Sequence, residues 1–251
     1  MTNKAILVIG CVVLTALTAA AAEPRVYEMR TYYANEGKLD ALNARFRDHT
    51  CALFEKHGIT NVGYWVPADN TENKLVYLLS YPSREARKTS WKAFLADPDW
   101  KAAYKKSTAD GKLVAKVENA FMIPTGYSSD PKIEAQSPPR LFELREYSTR
   151  EGKLDDINKR FRDHTCALFE KHGITNIVYF DLMDDQDRAD DLLVYLIAHK
   201  DEEARDASFA AFSKDPDWQA AREASQKAGP ILVKKGVRST LLVPVDYSPM
   251  K

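Results

Sequence analysis

The chain has 251 residues, of which 45% are apolar and 29% are charged, and its 36 basic residues are balanced by 36 acidic ones. This composition is ordinary for a globular protein and supplies enough apolar material for a buried core. The even charge balance and the lack of a basic run argue against nucleic acid as a partner.

The first 22 residues have the pattern of a secretory signal peptide. Lys4 is followed by an apolar stretch over residues 5–19 and by three alanines that end at Ala22. This order predicts cleavage after Ala22, export to the periplasm or the extracellular space, and no stable membrane anchor afterwards. One alternative is an uncleaved anchor, for which the stretch is short of the roughly 20 residues needed. Another is a lipoprotein modified at Cys11, which comes too early in the apolar stretch.

A segment of seventeen residues, RFRDHTCALFEKHGITN, occurs twice without a change, at residues 45–61 and 160–176. An internal repeat of this kind predicts two copies of one structural unit. We place the first repeat at residues 23–127 and the second at residues 140–251. Residues 128–139, rich in Ser and Pro, form the predicted linker.

Each repeat has the pattern strand, helix, strand, strand, helix, strand. In the first repeat, alternation and helical spacing of apolar residues place strands at residues 26–33, 61–66, 75–81 and 116–123 and the first helix at residues 37–56, with a second helix that starts at Ser83. Ser83 and Asp201 are predicted N-caps of the second helices. Asp97 and Asp215, each followed by Pro, are predicted to cap a further helical turn.

This β-α-β-β-α-β order is typical of a ferredoxin-like unit, whose sheet carries helices on one face only. The other face must be buried against something, and the twin unit in the same chain is the natural partner. We therefore predict an α+β fold in which the two repeats pair their sheets into a barrel, with the helices outside.

The first repeat carries V-Y-E-M-R-T-Y with E-G-K-L, E-K-H-G-I, N-x-L-V-Y-L-L, F-x-x-D-P-D-W and P-x-x-Y-S, and the second carries close versions. In this combination of motifs the sequence resembles the NIPSNAP family. The resemblance implies the dimeric α+β barrel superfamily, which includes monooxygenases, isomerases and haem-handling enzymes. It implies no agreed reaction and no catalytic residues. The second repeat departs from the first by having Phe180 in place of Trp65 and Phe209 in place of Trp91.

The first strand of each repeat holds the strongest candidates for a site. Strand alternation places Glu28, Arg30 and Tyr32 on one face. The equivalent residues of the second repeat are Glu143, Arg145 and Tyr147. We expect this polar face to point into the barrel, where the arginines could bind a carboxylate or another small anion. The alternative is that each Glu and Arg form an internal ion pair that fixes the sheet interface.

Histidines are weaker candidates. His49 and His164 each follow an aspartate in the repeated helix and could take part in acid–base or metal chemistry. His57 and His172 come at the helix end, where a positive charge interacts favourably with the helix dipole. The sequence has no H-E-x-x-H, C-x-x-C, G-x-G-x-x-G or G-x-S-x-G motif, so we predict neither a metal nor a cofactor.

Cys51 and Cys166 occupy the same place in the two repeats. Equivalent points of two pseudo-symmetric units are usually farther apart than the roughly 7 Å that a disulfide allows between Cα atoms. We predict two free thiols, on the side of the helix away from its apolar stripe.

These observations predict an exported barrel that binds a small anionic molecule, with or without catalysis. The alternative is a non-catalytic interaction protein that uses its outer helices. In that case the repeated segment would present Arg45, Arg47, Asp48 and Cys51 away from the core. A barrel closed within one chain needs no second copy, so a monomer with an internal pseudo-dimer fits, although the sequence leaves the oligomeric state open.

Overall fold

The computed structural model describes residues 25–251, and the predicted signal peptide lies outside this range. The first repeat comprises β1 (Val26–Ala34), α1 (Leu39–Arg45), a π-helical turn (Phe46–Thr50), α2 (Cys51–Lys56), β2 (Thr60–Pro67), β3 (Lys74–Tyr81), α3 (Arg84–Ala96), α4 (Pro98–Ser107) and β4 (Val114–Pro124). The second comprises β5 (Leu141–Thr149), α5 (Leu154–Arg160), a π-helical turn (Phe161–Thr165), α6 (Cys166–Lys171), β6 (Thr175–Leu182), β7 (Leu192–His199), α7 (Glu202–Lys214), α8 (Pro216–Ser225) and β8 (Leu232–Pro244).

The eight strands form one closed antiparallel barrel in the order β1-β3-β2-β8-β5-β7-β6-β4. The two repeats join where β2 pairs with β8, with Val66 opposite Val243, and where β4 pairs with β6, with Met122 opposite Leu182. The last strand of each repeat therefore borders the other repeat. This arrangement confirms the predicted α+β fold with two ferredoxin-like repeats closed into a barrel.

The helix predicted over residues 37–56 is interrupted in both repeats. A π-helical turn follows Arg45, and the Thr50 hydroxyl donates to the backbone carbonyl of Arg45 at 3.1 Å. A single π turn shifts the helix face by one residue, and such turns are frequent at functional sites. Apolar periodicity had no means of showing this extra residue.

Three apolar clusters hold the structure together. One fills the barrel interior and includes Met29, Trp65, Phe142 and Phe180. The other two lie between the sheet and the helices of each repeat, where Phe46 and Phe161 sit at equivalent places. Both faces of the sheet are therefore buried, one against the opposite strands and one against helices.

The helix starts follow the predicted caps. Ser83 Oγ accepts a hydrogen bond from the Ala86 N–H at 3.1 Å, and Asp201 does the same for Ala204. Asp97 caps α4, with Pro98 at the first helical position, and its carboxylate also lies 2.7 Å from His57 Nε2. In the described part of the chain, no helix has both the length and the apolar character needed to cross a bilayer.

Gly63 is required by the neighbouring Trp65 in the barrel interior. A Cβ atom at Gly63 would collide with the fully buried Trp65 ring. The second repeat has the bulkier Val178 at this place, together with the smaller Phe180. We expect Gly63→Ala to lower the free energy of unfolding by about 1–3 kcal/mol, because overpacking strains a close-packed core.

Urea unfolding of Gly63→Ala, Trp65→Phe and the double variant measures this effect. The double variant should be more stable than Gly63→Ala alone, since Phe leaves room for the added methyl group. Equal or lower stability of the double variant would show that the ring is not the obstacle.

Candidate functional site

Glu28 is fully buried between β1 and α3, and two arginines neutralise it. Arg30 donates from Nη1 to one carboxylate oxygen, and Arg87 donates from Nη2 and Nε to both oxygens, at 2.9 and 3.0 Å. The Tyr81 hydroxyl donates a further hydrogen bond at 3.0 Å. Burial alone would raise the pKa of Glu28, but the hydrogen bonds and charges of Arg87 and Arg30 outweigh it and lower the pKa.

The second repeat contains the same arrangement around Glu143. Arg145 donates to Glu143, and Arg205 donates from Nε at 2.7 Å. His199 takes the place of Tyr81, with its Nε2 3.2 Å from the carboxylate. Burial opposes ionisation here too, but the bonds from His199 and Arg205 and the charge of Arg145 hold the pKa of Glu143 well below its ordinary value.

The expectation that the Glu-Arg-Tyr face points into the barrel was wrong. In the first repeat Tyr27 and Met29 belong to the interior cluster, whereas Glu28 bonds to Arg87 of α3 and Tyr32 packs in the sheet–helix layer. The second repeat repeats this orientation with Glu143, Arg145 and Tyr147, which face α7 and its neighbours. A strand's two faces cannot be assigned from alternation when both are buried.

The barrel does contain a cavity, of about 220 Å³. Its walls include Met29 and Thr31 of β1 and Leu144 and Glu146 of β5, together with residues of β4, β6, β7 and β8, among them Arg238. None of the six predicted site residues lines it. A second cavity, between the sheet and the helices, contains a buried arginine of the kind that was predicted inside the barrel.

A cavity of about 270 Å³ lies between the sheet and the helices of the first repeat. We call it the Arg45 cavity. Its wall is largely aromatic and includes Tyr32, Phe46, Trp91, Phe94, Trp100 and Tyr104. Of the residues predicted from sequence, Tyr32 lines this cavity directly. Arg30 lies behind the wall, bonded to Tyr32 at 3.3 Å and stacked 4.6 Å from the Trp91 ring centroid.

Arg45 is the buried charged residue of this cavity and is only 6% exposed, whereas Lys116, which also lines it, is exposed and pairs with Glu118. Its guanidinium lies 5.3 Å from the ring centroids of both Trp100 and Tyr104 and donates one hydrogen bond, to Ser107 Oγ at 3.3 Å. Its Nε has no hydrogen-bond partner, and Arg45 forms no ion pair with any residue in the 25–251 range. Burial lowers the pKa of Arg45, as expected for a charge that nothing compensates.

Arg45 was expected on the outer side of the helix, and its burial shows that this expectation was wrong. Arg45 follows Leu42 by three residues and directly precedes Phe46, and both neighbours are buried. Its position inside the apolar stripe, repeated at Arg160, was the signal that could have identified it. A basic residue on the core face of a helix, present in both copies, is unusual enough to call for a partner.

The mouth of the Arg45 cavity is apolar and open to solvent. Leu95, Tyr104 and Val117 line it and are 53%, 47% and 44% exposed. Most large apolar side chains of the chain are buried, so this group of exposed ones marks a place where apolar surface meets solvent. An entering molecule would pass this rim before reaching the guanidinium.

The predicted histidines take no part in the buried Glu–Arg clusters or in the Arg45 cavity, although His164 lines a groove beside Arg160. His49 and His164 are both exposed on the outer surface of the π-helical turns. Within residues 25–251, no group of three or more His, Cys, Asp or Glu side chains is placed to hold a metal ion.

Cys51 and Cys166 are free thiols, as predicted, but they are not surface thiols. Cys51 packs against the sheet–helix cluster, and burial raises its pKa to about 11. Cys166 has the same surroundings, and its pKa is likewise raised to about 11. Both are protonated at neutral pH, which makes them poor nucleophiles.

Comparison with known proteins identifies the family on both repeats. The profile of the NIPSNAP family matches residues 27–129 and again residues 142–249. No curated protein matches the chain.

Several solved structures are similar. A proposed monooxygenase of Fusobacterium nucleatum is 11% identical, over 89% of this chain and 93% of its own, with a TM-score of 0.58. An anthrone oxidase-like protein is 10% identical, over 89% of this chain and 92% of its own, also with a TM-score of 0.58. A NIPSNAP domain protein of Burkholderia xenovorans is 23% identical, over 42% of this chain and 99% of its own, with a TM-score of 0.37. The two full-length likenesses show a shared fold.

Proposed function

This chain belongs to the NIPSNAP family, and from that premise we propose that it binds a small, flat apolar molecule carrying a negative charge, in the Arg45 cavity. The observation that carries the proposal is Arg45 itself, a buried guanidinium without an anionic partner. A buried charge is costly unless it is paired. A ligand carboxylate would supply the missing partner and could accept from Nε, which has no acceptor within residues 25–251.

The walls of the cavity support an aromatic or similarly flat ligand. The ring faces of Trp91, Phe94 and Trp100 offer stacking surface around the guanidinium. The cavity volume of about 270 Å³ lies just below the range of about 300–1,000 Å³ that is usual for ligand pockets. The cavity therefore suits a small ligand. Among the cavity-lining residues of the described chain there is no His, Cys, Asp or Glu. The lining groups that could transfer a proton are Tyr32, Tyr104 and Lys116.

We keep export as part of this proposal, because the first 22 residues carry the signal-peptide pattern. Native mass spectrometry of protein purified from its own host tests export and ligand together. An intact mass equal to that of residues 23–251 supports cleavage after Ala22. A co-purified small molecule supports the cavity as a binding site, whereas a bound protein favours the alternative of an interaction module that uses the outer helices.

Arg45→Gln tests the proposed site with 2-naphthoate as the probe, read by tryptophan fluorescence and calorimetry. We expect the variant to bind 2-naphthoate at least about tenfold more weakly, because it loses a charge-assisted hydrogen bond. The uncharged 2-naphthamide should bind both proteins similarly. Arg47→Gln is the matched control, since Arg47 is exposed and paired with Asp246. The proposal fails if 2-naphthoate does not bind, or if Arg45→Gln binds it as tightly as the unmodified chain.

A further inference from the structure

The second repeat also buries an arginine without a carboxylate partner. Arg160 occupies the position of Arg45 and is likewise 6% exposed. It donates to Ser225 Oγ at 3.3 Å and stacks 5.1 Å from the Trp218 ring centroid, while its Nε has no acceptor. Burying the charge of Arg160 is therefore costly for the same reason as at Arg45, and an anionic ligand would offset this cost at Arg160 as well.

The surroundings of the two arginines differ in charge. Lys159, Arg222 and Lys227 of the second repeat stand where the first repeat has Ala44, Tyr104 and Ala109. Burial lowers the pKa of Arg160, and the nearby charge of Arg222 lowers it further. Three basic side chains thus replace two alanines and one aromatic ring around the same buried guanidinium.

Arg160 lies at a groove of about 360 Å³ that is lined by residues of α5, the π-helical turn and α8. Two acids line the groove, but basic side chains already pair with both. Asp156 is bound by Lys153 at 2.7 Å, and Asp163 is bound by Lys159 at 2.7 Å and by Arg162 at 2.8 Å.

After these pairs are formed, three cations at or beside the groove stay without an ion-pair partner in the part of the chain that the structure describes: Arg160, Arg222 and Lys227. Apart from Lys227, the groove walls contributed by α8 and the residues after it are the small side chains of Ala221, Ala224, Ser225 and Ala228. Such walls give little stacking surface, so the groove suits a compact, highly charged group rather than an aromatic ring.

We infer that the second repeat binds the phosphoryl group of a soluble phosphate monoester in this groove. A phosphoryl dianion offers three acceptor oxygens in a compact tetrahedron, which matches one guanidinium and two further cations better than a single carboxylate does. This groove and the Arg45 cavity share no lining residue, so either binding proposal can be disproved without affecting the other. The chain would then hold two different anions, one in each repeat.

Isothermal titration with phenyl phosphate at about pH 8, where the phosphate is dianionic, tests this inference on protein purified from its own host. We expect one equivalent to bind, and Arg160→Gln to weaken binding at least about tenfold. Because Arg160 is buried, the exposed pair Arg222→Gln/Lys227→Gln provides a second variant that leaves the core intact. This double variant should bind about three- to tenfold more weakly.

Two controls separate this site from the first. Lys214→Gln changes an exposed lysine of α7 outside the groove, and Arg45→Gln changes the other cavity. Both should leave phenyl phosphate binding unchanged.

The inference is overturned if phenyl phosphate does not bind at millimolar concentration, or if the double variant binds it as tightly as the unmodified chain. It is also overturned if vesicles containing phosphatidic acid capture the protein while phenyl phosphate does not bind. That result would assign the groove to a lipid headgroup.

Discussion

Replacing Glu28 by Gln should lower the free energy of unfolding by about 3–5 kcal/mol, the usual cost of removing one partner of a buried ion pair. The amide cannot neutralise Arg30 and Arg87, whose guanidinium groups both donate to this fully buried carboxylate. Urea unfolding at neutral pH measures the difference. Glu36→Gln is the matched control, because Glu36 is exposed and should change stability by less than about 0.5 kcal/mol.

The same variant should also be less sensitive to acid. A carboxyl whose pKa is lowered by folding contributes stability above its unfolded pKa of about 4.3, and this contribution is lost as the pH falls through the folded value. Glu28 and Glu143 both have lowered pKa values. The unmodified chain should therefore lose stability as the pH falls below about 5, and the gap between it and Glu28→Gln should narrow. A gap that stays constant down to low pH would contradict this account.

Arg30→Met should destabilise the protein and Arg45→Met should not, although both remove a buried arginine. Arg30→Met takes a partner from Glu28, and we expect a loss of about 3 kcal/mol. Arg45→Met removes a charge that has no anionic partner. The lost contacts are one hydrogen bond to Ser107 and two ring contacts, together worth about 1–3 kcal/mol, against a desolvation cost of several kcal/mol. We expect Arg45→Met to be unchanged in stability or more stable by about 1 kcal/mol.

Thermal and urea unfolding of the two variants, without added ligand, measures this contrast. When a binding residue destabilises the ligand-free protein, its removal raises the free energy of unfolding. If Arg45→Met is destabilised as much as Arg30→Met, Arg45 is a structural residue, and the binding proposal loses the observation on which it depends.

The fold was predictable because the sequence of each repeat contains local signals for the starts and ends of its strands and helices. The aromatic alternation of β1, the glycine after α2 and the aspartate-proline pair before α4 are local signals with physical causes. The repeat itself then implied the barrel, since one ferredoxin-like sheet leaves a face uncovered and the second copy covers it.

The site was less predictable, for two physical reasons. Alternation grouped Glu28 with Arg30 and Tyr32 correctly, but it could not say which buried layer they face, because the apolar partners Tyr27 and Met29 suit the barrel interior equally well. Arg87 and Arg205, which decide the charge balance, come from helices about 60 residues away in sequence. Arg45 was misplaced because arginine is rarely buried, although its spacing of three residues from Leu42 puts it on the core face of α1.

The strand pairings between β2 and β8 and between β4 and β6 limit how independently the two repeats can evolve. Four of the eight strands, β2, β4, β6 and β8, have neighbours in both repeats, so a substitution in one of them affects the packing of both. Helices α4 and α8 are free of that constraint, because each packs against elements of its own repeat. In a dimer of identical subunits one mutation alters both sites together. A duplicated unit fused into one chain escapes this, so Tyr104 and Arg222 could be inherited as separate traits on a shared framework.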